Sequence, residues 1–375
     1  MTVLAAGCAR DRELVWNNLN REVAKLYQQE KYPEAVKKAA KAAQLAEEIF
    51  ASDDLNLAGS LSLLAELYYL EERYAGAEPL YERALEIYEV KLGPQHIKVA
   101  TTLSHLAEVY TAEKRYGEAE ISLKRALEIG EKAMDPNDPN IASPLFDLAE
   151  VHRAQGNYSE AEPLYRRALG IWEKALGKDH TQIAGVLNNL AENYRVQKKY
   201  SEAGPLYQRA LEIWKKNFTE NHPVVAKAMN NLAALYRDQG KMAEAEEFYK
   251  RALEIRERTL GPKDSDRALS LNNLALFYTL QKRYAEAEPL FKRAIQIWGK
   301  SLEGEHAEGA SALLNLALIY RAQQRFSEAE PLYERALGIW EKALGPGHPN
   351  VLTVRQDLAG FYRQIGKEDK AKQYE

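Results

Sequence analysis

The chain has 375 residues, of which 28% are charged and 46% hydrophobic, and its formal net charge is −4. This near balance lacks the basic excess of a nucleic-acid-binding protein, and no apolar stretch approaches the ~20 residues that a membrane-spanning helix needs. Cys8 is the only cysteine, which excludes an internal disulfide and a thiolate metal cage.

Residues 1–15 precede the repetitive part of the sequence and contain Leu4-Ala-Ala-Gly-Cys8, which looks like the processing box of bacterial lipoproteins. In such a box the cysteine is lipidated and becomes the mature N-terminus. The other interpretation is an accidental Ala-rich start, because only Val3 to Ala6 stand where a signal has about 7–15 apolar residues. The compartment stays open between the cytoplasm and, if the start is a truncated signal, an exported or periplasmic lipoprotein.

A repeat of 42 residues organises the rest of the chain. Residues 16–58 form a divergent first repeat, residues 59–352 form seven regular repeats, and residues 353–375 form one more helix with a polar stub. Position 0 of the regular repeats is Leu61, Leu103, Leu145, Leu187, Met229, Leu271 and Leu313. Self-similarity at a fixed period predicts an array of one supersecondary unit.

Each repeat carries two apolar stripes with helical spacing. In the fourth regular repeat Leu187, Leu190, Ala191 and Tyr194 follow the i, i+3, i+4, i+7 pattern, and a second stripe runs from Ala203 to Trp214. A polar turn separates them, so each repeat is predicted to be a first and a second helix packed antiparallel. Ser159 with Glu162, and Ser327 with Glu330, have the spacing of capping boxes, which predicts the start of the second helix there.

These residues carry a resemblance to a known family. Leu190, Ala191 and Tyr194, followed by Tyr200, Ala203, Tyr207 and Ala210, resemble the tetratricopeptide pattern, and the 42-residue length resembles its kinesin-light-chain-like subgroup. The resemblance covers about residues 59–365. It implies an all-α, right-handed α-solenoid of stacked helix pairs, with the first helices lining a concave groove that binds peptides. The heptad coiled coil that joins kinesin light chains to the motor is absent, and bacterial proteins of this repeat type look closer.

The expected groove is lined by positions +2, +5 and +9 of the first helices, which point away from the core positions 0, +3, +4 and +7. Position +2 is asparagine in four consecutive repeats: Asn189, Asn231, Asn273 and Asn315. Position +5 changes from glutamate (Glu66, Glu108, Glu150, Glu192) to Ala234, Leu276 and Leu318. An amide pairs with any peptide backbone, so we expect the main site around Asn231, Asn273, Leu276, Asn315 and Leu318. The alternatives are amides that are solvated or bonded within the chain, and leucines that are already covered.

Position +8 carries arginine in five repeats: Arg153, Arg195, Arg237, Arg321 and Arg363. These side chains would clamp acidic groups of a partner, or they pair with carboxylates of neighbouring helices. The sequence leaves both interpretations open.

No catalytic or metal-binding constellation is predicted, and no cofactor is implied. His96, His180, His222, His306 and His348 occupy one loop position, one in each of five repeats, so they are predicted to be loop or cap residues rather than converging ligands. The favoured function is a non-enzymatic scaffold or adaptor that binds a partner peptide or protein segment in its groove and assists complex assembly. The alternative is a structural building block that associates through its ends or its convex face. Partner and oligomeric state stay open.

Overall fold

A computed structural model describes residues 2–301 and 307–374, and the regular secondary structure of these residues is helical without a strand. The all-α class of stacked antiparallel helix pairs is confirmed. The first helices of the pairs are α1 (Thr2–Gln28), α3 (Leu55–Leu70), α5 (Ile97–Ala112), α7 (Pro139–Ala154), α9 (Thr181–Val196), α11 (Pro223–Asp238), α13 (Ser265–Leu280), α15 (Ala307–Ala322) and α17 (Pro349–Gln364). The second helices are α2 (Tyr32–Ile49), α4 (Tyr74–Leu92), α6 (Tyr116–Ala133), α8 (Tyr158–Leu176), α10 (Tyr200–Asn217), α12 (Met242–Thr259), α14 (Tyr284–Ser301), α16 (Phe326–Leu344) and α18 (Glu368–Ala371), which a 3-10 turn (Lys372–Tyr374) follows.

The chain divides into two compact units, unit 1 (Met1–Asn193) and unit 2 (Tyr194–Glu375), with the boundary inside α9. In unit 2 one apolar core runs from α11 to α18. Alanine at position +4 (Ala233, Ala275 and Ala317) is completely buried there, which lets neighbouring helices approach closely. Of the helices in the described part of the chain, none is both long and apolar enough to cross a bilayer.

Helix α1 continues without a break from residue 2 to residue 28, so the segment of residues 1–15 leads directly into the first helix of the divergent repeat. Trp16 anchors this helix: its Nε1 donates a hydrogen bond of 3.0 Å to Ser60 Oγ, and its ring packs edge-on against Phe50. The side chain of Cys8 lies outside the described residues, and its lipidation stays a prediction.

The repeated histidines cap the first helices. His96, His180, His222 and His348 each accept a hydrogen bond at Nδ1 from the backbone N–H two residues later, at 3.1–3.2 Å. Asp54, Asp138 and Asp264 do the same at this position in other repeats. A cap satisfies one of the N–H groups that the first turn leaves without a partner. The cap prediction is confirmed for these four histidines; His306 lies outside the described residues.

The capping boxes predicted at Ser159 and Ser327 are wrong. The N-cap residues of α8 and α16 are Asn157 and Arg325, two residues before the serines, and neither makes a side-chain cap. Before α16 the chain passes through a left-handed residue, Gln324 (φ 60°), and then through the N-cap Arg325. The start is instead held by Arg325, whose guanidinium donates to both carboxylate oxygens of Glu328 at 2.7 and 2.8 Å. A bidentate pair of this kind is among the stronger polar contacts.

Candidate functional site

Positions +2 and +5 of successive repeats meet on the surface of the first helices. The amide of Asn189 donates a hydrogen bond of 3.0 Å to Oε1 of Glu150, which is position +5 of the preceding repeat. The same two positions recur every 42 residues, so the register assigns equivalent places to the corresponding residues of the other repeats within each unit. We call the residues Asn231, Asn273, Leu276, Asn315 and Leu318 the unit 2 face, and Glu66, His105, Glu108, Asp147, Glu150 and Asn189 the unit 1 face.

On the unit 2 face, two amides have no partner within the chain. Asn273 and Asn315 are half-buried and make no hydrogen bond to any residue that the structure describes. Leu276 is half-buried against the core, whereas Leu318 is 36% exposed. Asn231 differs, because it already interacts within the chain. The free polar groups of this face therefore come from Asn273 and Asn315, next to leucine side chains.

The arginines at position +8 are engaged in contacts within the chain. Arg195 and Arg237 both bond to the carboxylate of Asp238. Arg321 Nε donates to Gln364 Oε1 at 2.6 Å, so Asp238 and Gln364, which occupy position +9, receive the arginine of the preceding repeat. Arg153 bonds to Glu150 in its own helix at 2.6 Å, and Arg363 also has an interaction. The arginines at position +8 thus interact within the chain.

The unit 1 face carries four carboxylates with unequal partners. Glu66 accepts a hydrogen bond of 2.8 Å from Tyr27, and Glu150 accepts from Asn189, Arg153 and Tyr165. Glu108 and Asp147 accept no hydrogen bond from any described residue. Burial, together with the nearby carboxylates, raises the pKa of each of these two side chains to about 7. Both are acids in a poorly hydrated place, and no cation is among the described groups that shift their pKa.

A cavity of about 370 Å³ opens beside these two carboxylates, between α5, α6 and α7. Its wall includes Gly130 in α6, at a position that is tryptophan in four other repeats: Trp172, Trp214, Trp298 and Trp340. All four indoles are buried. In this repeat no ring occupies the corresponding space, and the methyl end of Met134 and the cavity lie there instead. A second cavity of about 330 Å³, lined by Trp172, shares Glu108 and Asp147 with the first.

Sequence reasoning recognised the acidic character of this part of the protein but missed the cavity. The sequence does contain a signal for it. At this position the seven regular repeats carry five aromatic residues, Arg256 and a single glycine, Gly130. His105 also lines the cavity; burial lowers its pKa, and its ring lies 5.6 Å from that of Tyr81. Among the described residues, no group of three or more His, Cys, Asp or Glu is arranged to hold a metal ion.

Comparison with protein families gives one match along most of the chain. The model of the tetratricopeptide repeat matches residues 18–89, 58–132, 98–174, 140–195, 182–258, 266–342 and 310–375. No curated protein sequence matches the chain.

Solved structures give the same architecture. BtubC (BKLC) from P. vanneervenii is 25% identical, with a TM-score of 0.50 over 63% of this chain and 93% of that protein. The apo form of the quorum sensor NprR from B. thuringiensis is 15% identical, with a TM-score of 0.65 over 97% of both chains. The apo form of RapI is 15% identical, with a TM-score of 0.62 over 77% of this chain and 99% of that protein. The resemblance to repeats of the kinesin-light-chain-like type is confirmed.

Proposed function

Because the chain belongs to the tetratricopeptide repeat family, whose fold implies a scaffold for protein–protein interaction, we propose that its unit 2 face binds an extended segment of a partner protein. In this role the protein is a non-enzymatic adaptor that assists the assembly of a larger complex. Repeats of this family are generally non-catalytic. The observation that carries the proposal is the pair of unpartnered amides, Asn273 and Asn315.

The chemistry of the two amides suits a polypeptide backbone. Each asparagine offers an acceptor oxygen and two N–H donors, so it can bond to a peptide group whatever side chain that residue carries. Leu276 and Leu318 stand at position +5 of the same helices as these amides. Their exposed apolar surface would be covered by an apolar side chain of a partner. Backbone pairing supplies general affinity, and the leucines favour a partner with an apolar side chain between its backbone contacts.

Magnitudes predict modest affinity for a short segment. Two amides contribute roughly 0.5–1.5 kcal/mol each, and covering two partly exposed leucines adds roughly 1–2 kcal/mol each. The sum is roughly 3–7 kcal/mol before the cost of ordering a flexible chain. We therefore expect binding in the micromolar range or weaker, unless a partner also covers further repeats.

The proposal is tested by capturing partners on immobilised protein. We compare the wild type with the double variant Asn273→Ala/Asn315→Ala and with Asn221→Ala, an exposed asparagine outside the face. The expected result is at least a fivefold loss of the specific partner from the double variant and normal recovery with Asn221→Ala. Equal recovery on all three proteins would exclude recognition by the unit 2 face.

The alternative of a self-associating building block is separated by light scattering over a wide concentration range. A protein that stays monomeric while it captures a partner through Asn273 and Asn315 is an adaptor. A mass that rises with concentration, together with capture that is insensitive to these amides, would instead identify a building block.

A further inference from the structure

We propose that the cavity between α5, α6 and α7 in unit 1 is a second binding site, which takes a long cationic side chain, arginine or lysine, from a partner protein. This site is separate from the unit 2 face and goes beyond the function proposed above. It is carried by three features of the cavity: its space, its charge and its apolar wall.

The space arises from the departure at Gly130. Trp172, at the equivalent position of the next repeat, is buried and packs 5.9 Å from the ring of Phe146. At Gly130 an added Cβ would lie 3.1 Å from the methyl end of Met134 and 3.8 Å from Cγ1 of Ile141, so a flexible thioether and an isoleucine border this position. The remaining volume of about 370 Å³ is sufficient for an arginine or lysine side chain.

The cavity is acidic: its two carboxyl groups are partly ionised at pH 7, and the groups that shift their pKa include no cation. Glu108 and Asp147 line both cavities and accept no hydrogen bond within the described part of the chain. The residue Asp147 keeps some contact with solvent, but its carboxylate is closely surrounded by protein, and this burial is the main cause of its raised pKa. A buried acid without a partner is costly, and a bound cation removes that cost.

The other titratable groups around the two carboxylates do not neutralise them. Glu66 and Tyr69 belong to α3. Beyond the effect of burial, the charge of Glu66 raises the pKa of Glu108, and Glu108 and Asp147 in turn raise the pKa of Tyr69. Glu150 lies on α7 and is already bonded to Arg153 in the same helix. His105, on α5, has its pKa lowered by burial. These surroundings leave the two carboxylates without a cationic partner among the groups that shift their pKa.

The apolar wall identifies the chemical class of the ligand. Ala100, Leu127 and Ile141 line the same cavity as the two carboxylates. An arginine or lysine side chain has a matching composition, with a methylene stem that packs on apolar surface and a charged end that bonds to carboxylates. A metal ion would not use the apolar wall, and the residues that the structure describes contain no group of three or more ligands for one.

The test uses a blocked pentapeptide with one central arginine between alanines, titrated calorimetrically into the full-length protein at pH 7.5 and low salt. The reference peptide carries citrulline, which has nearly the same shape as arginine but no charge. We expect at least tenfold weaker binding of the citrulline peptide. We also expect at least tenfold weaker binding of the arginine peptide by the double variant Glu108→Gln/Asp147→Asn.

Three controls make the outcome specific to the cavity. Glu244→Gln/Glu247→Gln removes the same charge from exposed sites on α12 and should leave binding unchanged. Asn273→Ala/Asn315→Ala alters only the unit 2 face and should also leave it unchanged. Gly130→Trp fills the cavity with the residue that four other repeats use, and should abolish binding; the carboxylate variant keeps the test valid if the tryptophan variant does not fold.

Several results would overturn the proposal. They are undetectable binding of the arginine peptide, equal binding of the arginine and citrulline peptides, and equal losses in the cavity variant and the α12 control. A titration with calcium chloride covers the remaining source of positive charge. Calcium binding that depends on Glu108 and Asp147 and displaces the peptide would replace the side-chain site with a metal site.

Discussion

Asp238 accepts an ion pair from Arg195, which belongs to the preceding repeat, and both side chains are less than a fifth exposed. The same carboxylate also accepts two hydrogen bonds, at 2.9 and 2.7 Å, from Arg237 in its own helix. One carboxylate thus holds two of the arginines that the sequence offered as a clamp for acidic partners. Their charge is used to join neighbouring repeats of unit 2.

Replacing Asp238 with alanine should therefore destabilise the protein. Two half-buried guanidinium groups would lose their common partner, and we expect the free energy of unfolding to fall by about 1–3 kcal/mol. Urea denaturation measures this difference. Asp238→Asn, which keeps an acceptor oxygen but not the charge, should lose less. A loss below about 0.5 kcal/mol in both variants would contradict a structural role for the pair.

Asparagines with and without intrachain bonds should respond differently to alanine. Asn193 is completely buried, and its amide donates a hydrogen bond of 3.0 Å to the carbonyl of Tyr158, so Asn193→Ala should cost about 1–3 kcal/mol. Asn273→Ala/Asn315→Ala removes no such bond and should change stability by less than about 0.5 kcal/mol. Chemical denaturation of the three proteins under one condition compares them. A large loss in the double variant would mean that its amides are structural.

A histidine cap should be replaceable by aspartate. His222 Nδ1 accepts the backbone N–H of Val224 at 3.2 Å, and Asp264 performs this function at the equivalent position of the next repeat. We expect His222→Ala to lower the thermal midpoint, at a cost of about 0.5–1 kcal/mol, and His222→Asp to keep the wild-type value. Calorimetric melting checks both. Equal losses in the two variants would exclude capping as the role of this histidine.

The carboxylates of the unit 1 cavity should make stability fall as the pH rises. Glu108 and Asp147 each have a pKa of about 7 in the folded protein. Between about pH 4 and pH 7 the folded protein therefore binds more protons than the unfolded chain, and its stability falls as the pH rises. Glu108→Gln/Asp147→Asn should therefore be more stable than wild type at pH 8, by on the order of 3 kcal/mol, and nearly equal to it at pH 4.

Urea denaturation at several pH values measures that difference. His105, whose pKa is lowered, contributes a slope of the opposite sign but is present in both proteins. Glu246, Glu288 and Glu330, whose pKa values are lowered to about 2 by hydrogen bonds from Arg or Lys, act only below about pH 4.5. A difference between variant and wild type that is independent of pH would contradict the assignment.

The repeat made much of the fold predictable from sequence. Leu187, Leu190, Ala191 and Tyr194 are all buried, as the helical spacing predicted. Alanines such as Ala233 and Ala275 are buried where neighbouring helices approach. A property that recurs every 42 residues must be satisfied by the same geometry each time, so backbone and core follow from the pattern alone.

Contacts between different repeats could not be predicted in this way. Asp238 stands where the other regular repeats carry alanine, valine or leucine, and its partner is fixed by which side chain lies opposite. The cavity at Gly130 likewise depends on residues from three helices. The capping boxes failed because a serine–glutamate spacing does not determine at which residue the turn ends. Departures from the repeat thus mark positions whose contacts differ, and those contacts depend on how several helices are arranged in space.

The most direct test of the unit 2 face is a photo-crosslinker placed on it. Benzoylphenylalanine replaces Leu318 on α15 in one protein and Met242, an exposed residue of the second helix α12, in another. We predict that a captured partner crosslinks from position 318, through one short extended segment identified by mass spectrometry, and not from position 242. Crosslinks from position 242 with none from position 318 would contradict binding on the first helices of unit 2.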